Sequence, residues 1–324
     1  MKSEKGKEIL KKLIMNADVV VENFKPGTME KLGFGYDDIV KFKPDIIYAA
    51  CSGFGHSGPY SKRPAYDAIV QAMGGIMSIT SSAEGGEPTR VGASVGDIIA
   101  GIFTSVGILT AIHHKDKTGE GQKVDVAMLD CQVAILENVL ARYFATGKAP
   151  QTIGNRHPSI TPFEPFKCAD GVYLMIAIGN DKLWAAFCNM VGRNELISDP
   201  RFETNPKRTE NHALLKPICD EIMFAKTSAE WEKLFEENNI PATTINTIDK
   251  VAENPQVLAR DMIVDVEHPI AGSQKLPGIP VKLSKTPGAI HKAAPVLGED
   301  NFRVLKELGY SNEEIKAFEE EGVI

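Results

Sequence analysis

The chain has 324 residues, 43% hydrophobic and 24% charged, the composition of an ordinary globular protein with core enough for two domains. A net charge of −7 and the lack of any clustered basic run argue against a nucleic-acid partner. The five cysteines (Cys51, Cys131, Cys168, Cys188 and Cys219) are odd in number, scattered and without CxxC spacing. They predict reduced thiols in a cytoplasmic protein, and neither a disulfide framework nor a zinc site. The seven histidines likewise form no metal-ligand pattern.

No signal-peptide pattern opens the chain. Residues 1–16 read instead as a charged amphipathic helix that runs into a short strand at 17–22, which is the middle of an α/β unit. The expectation is therefore a large domain whose first part is missing. A helix around 36–42 and a strand at 45–51 follow, then a Gly/Pro-rich loop. Residues 98–112 are apolar on nearly every face, and the charged HHKDKTGEG segment stops them. This run falls short of the roughly 20 residues of a membrane span. With Gly101 and Gly107 suited to close packing, it reads as a core helix, and a second long helix is expected over 126–146. Strands alternating with helices predict an α/β fold, a Rossmann-like large domain with a mostly parallel sheet over residues 1–146.

The Gly/Pro/Thr-rich stretch 147–165 reads as a linker. A smaller α+β domain is expected over 166–260: a hairpin at 166–178 turning at Ala169-Asp170-Gly171, then helices at 182–191, 209–224 and 228–238. Residues 261–294, rich in Pro and Gly, read as a return linker, and 295–324 as C-terminal helices rejoining the large domain.

The most informative carboxylate is Asp97, which follows a glycine and precedes the apolar helix. It is expected at or beside the N-cap, where Asp is favoured because its oxygens accept from free first-turn amides. Those amides and the positive helix end would hold it ionised. An ionised Asp there can serve as a nucleophile as well as a cap.

Several ordered segments carry a resemblance: ADVVVENFKPGTMEKLGFGYDDI (17–39), CSGFGHSGPYSKRPAYDAIVQAMGG (51–75), VGDIIAG (95–101), KTGEGQKVDVAMLD (117–130) and GNRHPSITPFEPF (154–166). Together they resemble the family III CoA-transferases, the formyl-CoA and carnitine-CoA transferase group, over nearly the whole chain. The resemblance implies that Asp97 is the nucleophile. It also implies that Asn23, Phe24, Lys25, Lys31, Leu32 and Arg63 help hold CoA, at a strand-to-helix turn suited to phosphates. Tyr66 is implied to line the acyl pocket, with Asp67 near the nucleophile, although Asp67 could equally be a helix cap. Family members carry a further stretch of about two β-α units ahead of residue 17, including part of the CoA site. The related α-methylacyl-CoA racemases have a His where this chain has Tyr66, and their second acid/base partner corresponds best to Asn180, with Asp181 one residue away.

Gly154, Asn155, Arg156 and His157 fall where formyl-CoA transferases carry a glycine-rich lid, but the run of glycines is absent. Arg156 or His157 could bind a substrate carboxylate, Arg by its bidentate fork; a polar linker is the alternative. The resemblance further implies CoA transfer between an acyl-CoA and a small carboxylic acid, with CoA as substrate carrier and no permanently bound cofactor. It also implies an interlocked homodimer, with no membrane partner. The competing functions are a racemase or a CoA-binding remnant without turnover.

Overall fold

The computed structural model describes residues 3–324. Its contacts divide the chain into two units, one running to Gly154 and taking in Val296–Ile324, the other Asn155–Pro295.

In the first unit α1 (Glu4–Met15) leads to β1 (Val19–Glu22), α2 (Thr28–Leu32), α3 (Tyr36–Ile39), β2 (Ile47–Ser52), α4 (Asp67–Met73), α5 (Ile76–Ile79), α6 (Val95–Thr118), β3 (Lys123–Ala127), α7 (Met128–Ala134) and α8 (Asn138–Thr146). The three strands pair in parallel in the order β1-β2-β3, with Glu22 opposite Ala50 and Ala50 opposite Asp125. Because β2 is central, it is buried on both faces and its sequence IYAACS carries no polar residue before Ser52. On one face Tyr48 and Ala50 pack with Ile14, Met29, Phe34 and Ile39 from α1 to α3 and their loops. On the other, Cys51 and Val126 pack with Val70, Ala100, Met128 and Cys131 from α4, α6 and α7. Helices thus cover both faces of a parallel sheet, the α/β arrangement expected of the sequence.

Two helical expectations need correction. The apolar helix is longer at both ends, 24 residues from Val95 to Thr118, and by length and composition alone it is long and apolar enough to cross a membrane. It is also not a fully buried core helix. Ala100, Thr104 and Ala111 are buried, whereas Ile98, Ile102, Val106 and Leu109 are exposed. Gly107 does serve close packing, since a Cβ there would meet Val124 Cγ1 at 2.6 Å; Gly101 has nothing within 4 Å of that position and faces a cavity. The helix expected over 126–146 is interrupted. Glu137 takes a left-handed φ of 49°, which the α-helix cannot continue through, and separates α7 from α8.

The second unit holds β4 (Phe163–Lys167), β5 (Tyr173–Ala177), α9 (Asp181–Met190), α10 (Asn205–Glu210), α11 (His212–Met223), α12 (Ser228–Glu237), β6 (Ala242–Thr244), α13 (Ile248–Glu253), α14 (Pro255–Ala259), β7 (Ile263–His268) and β8 (Gly272–Pro277). Strands β4-β5-β6 form an antiparallel sheet over a core of Phe166, Leu174, Ile176, Trp184, Phe187 and Phe235. Residues 261–294, read from composition as a plain return segment, contain the β7–β8 hairpin. The chain ends in α15 (Asn301–Glu307) and α16 (Asn312–Glu320), where Leu305, Tyr310, Ile315 and Phe318 cluster with Ile9 of α1.

Candidate active site

A parallel sheet directs its carboxyl ends to one edge, and loops leaving that edge form the binding crevice. Here β1 and β2 end at Glu22 and Ser52, and α6 begins at Val95. Between them lies a cavity of about 770 Å³ lined by Asn23, Phe24, Lys25, Arg63, Tyr66 and Asp97, among others. Six of the residues singled out in the sequence therefore meet in one place. The volume falls within the roughly 300–1,000 Å³ of small-molecule sites.

The two carboxylates at the start of α6 have divided roles. Asp67, buried, accepts the Gly96 N–H with Oδ1 at 2.8 Å and the Gln71 side-chain amide with Oδ2 at 2.9 Å. It thereby satisfies a free amide in the first turn of α6, a capping task supplied from 29 residues upstream. Gly96 permits this approach, because a Cβ on it would come within 3.0 Å of Asp67 Oδ1 and 2.8 Å of Val70 Cγ2. Gln71 is itself fixed, its Oε1 accepting the Val91 N–H at 2.9 Å. The Arg90 guanidinium stands 4.0 Å from Asp67.

Asp97 is not the cap. Ser94 occupies that position, so Asp97 lies inside the first turn, exposed to the cavity. Among the described residues its carboxylate has no hydrogen-bond donor. The expectation that helix-end amides would favour its anion is therefore corrected: the available amide at Gly96 is spent on Asp67. Partial desolvation at the cavity wall, and secondarily the negative charge of Asp67, push the Asp97 carboxyl above its ordinary 3.8. A carboxylate without hydrogen bonds and beside a like charge is a better nucleophile than one engaged as a cap.

The turn after β1 is braced. Asn23 Nδ2 donates to the Cys51 carbonyl at 2.6 Å, so this side chain ties β1 to β2 in addition to lining the cavity. Phe24 and Lys25 are exposed there. Lys31 and Leu32 are not brought to the cavity: Lys31 is exposed on α2, and Leu32 packs against the core beside Met29 and Phe34. Arg63 stacks its guanidinium 3.9 Å over the Tyr60 ring, which leaves its charge available at the cavity wall. Tyr66 is 81% exposed, so its ring is a wall open to solvent and has no buried partner.

Gly154 closes the first unit at a φ of +69°. It is anchored there: Gly85 N–H donates to the Thr152 carbonyl at 3.0 Å, and Ile153 forms a bridge with Glu84. Asn155, Arg156 and His157 belong to the second unit, where the His157 N–H donates to the Phe163 carbonyl at 2.9 Å and its ring meets Phe163 edge-on. The residues matched to the racemases' second partner are both occupied structurally. Asn180 caps α9 through Leu183 N–H at 2.9 Å, and Asp181 Oδ1 binds the buried Arg208 at 2.7 Å and the Asn205 N–H at 2.9 Å.

Sequence reading missed Glu22, Cys51, Ser52 and Thr104 as cavity residues. The position of Glu22 at the end of a strand, directly before Asn23, was the available signal.

CoA-transferase family III, as a sequence family, matches residues 1–301. An acetyl-CoA:oxalate CoA-transferase from Acetobacter aceti is 39% identical over 95% of this chain and 78% of its own length. The human succinyl-CoA:glutarate CoA-transferase is 35% identical over 100% of this chain and 74% of its own. Among solved structures, a CAIB/BAIF family protein from Brucella suis superposes with a TM-score of 0.84 at 34% identity, covering 95% of this chain and 79% of that one. The chain belongs to CoA-transferase family III.

Proposed function

We propose that this enzyme moves CoA between an acyl-CoA donor and a small carboxylic acid through a thioester on Asp97. What carries the reading is the division of labour at the start of α6: Asp67 takes the capping hydrogen bonds, and Asp97 faces the cavity without one. In the proposed sequence the Asp97 carboxylate attacks the donor thioester carbonyl, the C–S bond breaks, and a mixed anhydride and CoA thiolate form. The thiolate attacks the Asp97 carbonyl, releasing the donor acid and leaving an aspartyl-CoA thioester. The acceptor carboxylate displaces the thiolate to give a second anhydride, and the thiolate attacks its acyl carbon to release the new acyl-CoA. Thioester energy is conserved throughout, so the chemistry needs no ATP and no resident cofactor.

The raised proton affinity of Asp97 fits this work, because a more basic carboxylate is the stronger nucleophile. Lys25 and Arg63 line the cavity, which supports assigning them to the CoA phosphates. The acceptor is assigned to the small dicarboxylates, since named relatives act on oxalate and glutarate. The enzyme is proposed to work in the cytoplasm as a homodimer, which sedimentation would report as twice the 35.3 kDa chain mass. The test of the chemistry is incubation with an acyl-CoA and hydroxylamine, followed by peptide mass spectrometry. A hydroxamate at Asp97 is expected; unmodified Asp97 in a preparation that turns over sinks the mechanism.

A further inference from the structure

Reaching the cavity wall through Glu22 and Ser52 and extending behind it is a second cluster of polar and charged groups, assembled by strand register. In a sheet, register partners point to the same face. Glu22 pairs with Ala50, and Ala50 with Asp125; Tyr48 pairs with Lys123. Glu22, Tyr48, Ser52, Lys123 and Asp125 therefore share one face of the sheet around the small side chain of Ala50, with Glu22 and Ser52 at its carboxyl edge. The loop after β2 folds His56 over them. His56 Nε2 is 3.4 Å from Glu22 Oε1, and His56 Nδ1 is 3.1 Å from Lys123 Nζ.

Each acid in this cluster holds a backbone N–H of a segment next to the cavity. Glu22 Oε2 accepts the Phe24 N–H at 2.7 Å, and the Asp125 carboxylate accepts the His56 N–H at 3.1 and 3.2 Å. Phe24 belongs to the turn that carries Asn23 and Lys25 into the cavity. Glu22 is only 5% exposed, and burial pushes its carboxyl above its ordinary range while His56 and Lys123 oppose that push. A carboxylate kept this deep beside a histidine and a lysine costs desolvation energy that an apolar residue would avoid. Its hydrogen bond to Phe24, about twice as strong as a neutral one when the acid is ionised, is what that arrangement delivers.

Resting on the CoA-transferase reading, we propose that Glu22 is a positioning residue for CoA: with His56 and Lys123 as its partners it latches the Asn23–Lys25 turn in the shape that receives CoA. It does not touch the reacting atoms. Loosening the latch lowers the fraction of protein whose turn is competent, and apparent affinity falls by that fraction. The nucleophile at the start of α6 is untouched.

The experiment is calorimetric titration of free CoA into wild type, Glu22→Gln and His56→Gln, reading affinity and sites per chain separately, with thermal melting alongside. Glu22→Gln keeps size and a neutral acceptor, and His56→Gln disturbs the partner without altering a cavity side chain. A competence of about one in ten weakens CoA binding about tenfold; that loss in Glu22→Gln, a smaller loss in His56→Gln, and unchanged site numbers are expected. Fewer sites at wild-type affinity would show that Glu22 only maintains the fold, and unchanged affinity in both variants would remove the latch; either result overturns the proposal. Wild type that binds no CoA overturns the parent reading and the latch with it, whereas variants that bind like a competent wild type overturn the latch alone.

Discussion

Exchanging the two carboxylates at the head of α6 for alanine, one at a time, should separate a structural acid from a reactive one. Asp67→Ala removes the acceptor for Gly96 N–H and Gln71 Nε2, bonded at 2.8 and 2.9 Å. Loss of a helix-end cap costs about 0.5–2 kcal/mol. The Gln71 amide, fully buried and held in orientation by the Val91 N–H, is left one partner short, and an unsatisfied buried donor costs about 1–3 kcal/mol. The sum is about 1.5–5 kcal/mol, or a melting shift of about 3–20 °C at 2–4 °C per kcal/mol. Asp97→Ala removes an exposed side chain without hydrogen bonds, so its effect should stay within about 0.5 kcal/mol. Relief of the repulsion from Asp67 could even make it slightly stabilising. Differential scanning calorimetry of both variants, paired with a CoA-transfer assay, reads the contrast. Asp97→Ala should melt like wild type and be inactive. If Asp97→Ala melts as far below wild type as Asp67→Ala, the capping role belongs to Asp97 and the division of labour is wrong.

The pH profile carries a second check. Because partial desolvation and Asp67 raise the Asp97 proton affinity, the nucleophilic anion is lost at a higher pH than for an ordinary aspartate, so kcat/KM should fall on the acid side above 3.8. In Asp67→Asn, where the neighbouring negative charge is gone, that limb should move to lower pH; a limb that stays put or moves up contradicts the assigned cause. Tyr66→Phe keeps the exposed ring at the cavity wall and removes its hydroxyl, and should lower turnover or change acid preference, measured across a panel of donor and acceptor pairs. Wild type in D₂O with a 2-methylacyl-CoA should show no deuterium at the α-carbon by mass spectrometry. Incorporation would restore the racemase reading despite the structural engagement of Asn180 and Asp181.

What the sequence disclosed follows from the range over which each signal acts. The strands at 19–22 and 47–52 and the hairpin around Asp170 are local patterns of β-branched residues and turn formers, and they were legible. Asp97, singled out by the glycine before it and the apolar run after it, does line the cavity. The cap was not legible, because its donor and acceptor are brought together by packing of α4 against α6, and a helix start signal is sought within a few residues. The break at Glu137 gives no warning, since an acidic residue in a helical pattern rarely takes a positive φ. The hairpin at 263–277 was hidden by the same Pro and Gly content that made its surroundings look like a linker.

The deeper reason the Glu22 cluster escaped is that it has no one-dimensional image. Its members come from residues 22, 48, 52, 56, 123 and 125, and only the pairings Glu22 with Ala50 and Ala50 with Asp125 put them on one face. A slip of one residue in either pairing would turn one strand's side chains to the opposite face and dissolve the cluster. The same register places Glu22 next to the cavity and ties Phe24 to it, while α6 approaches from the other face with Asp97. The turn proposed to receive CoA and the proposed nucleophile are thus held from opposite faces of the sheet by separate acids, Glu22 and Asp67. Substitutions at these two acids should therefore separate cleanly, Glu22 changing how tightly CoA is held and Asp67 changing the stability of α6 and the proton affinity of the residue it carries.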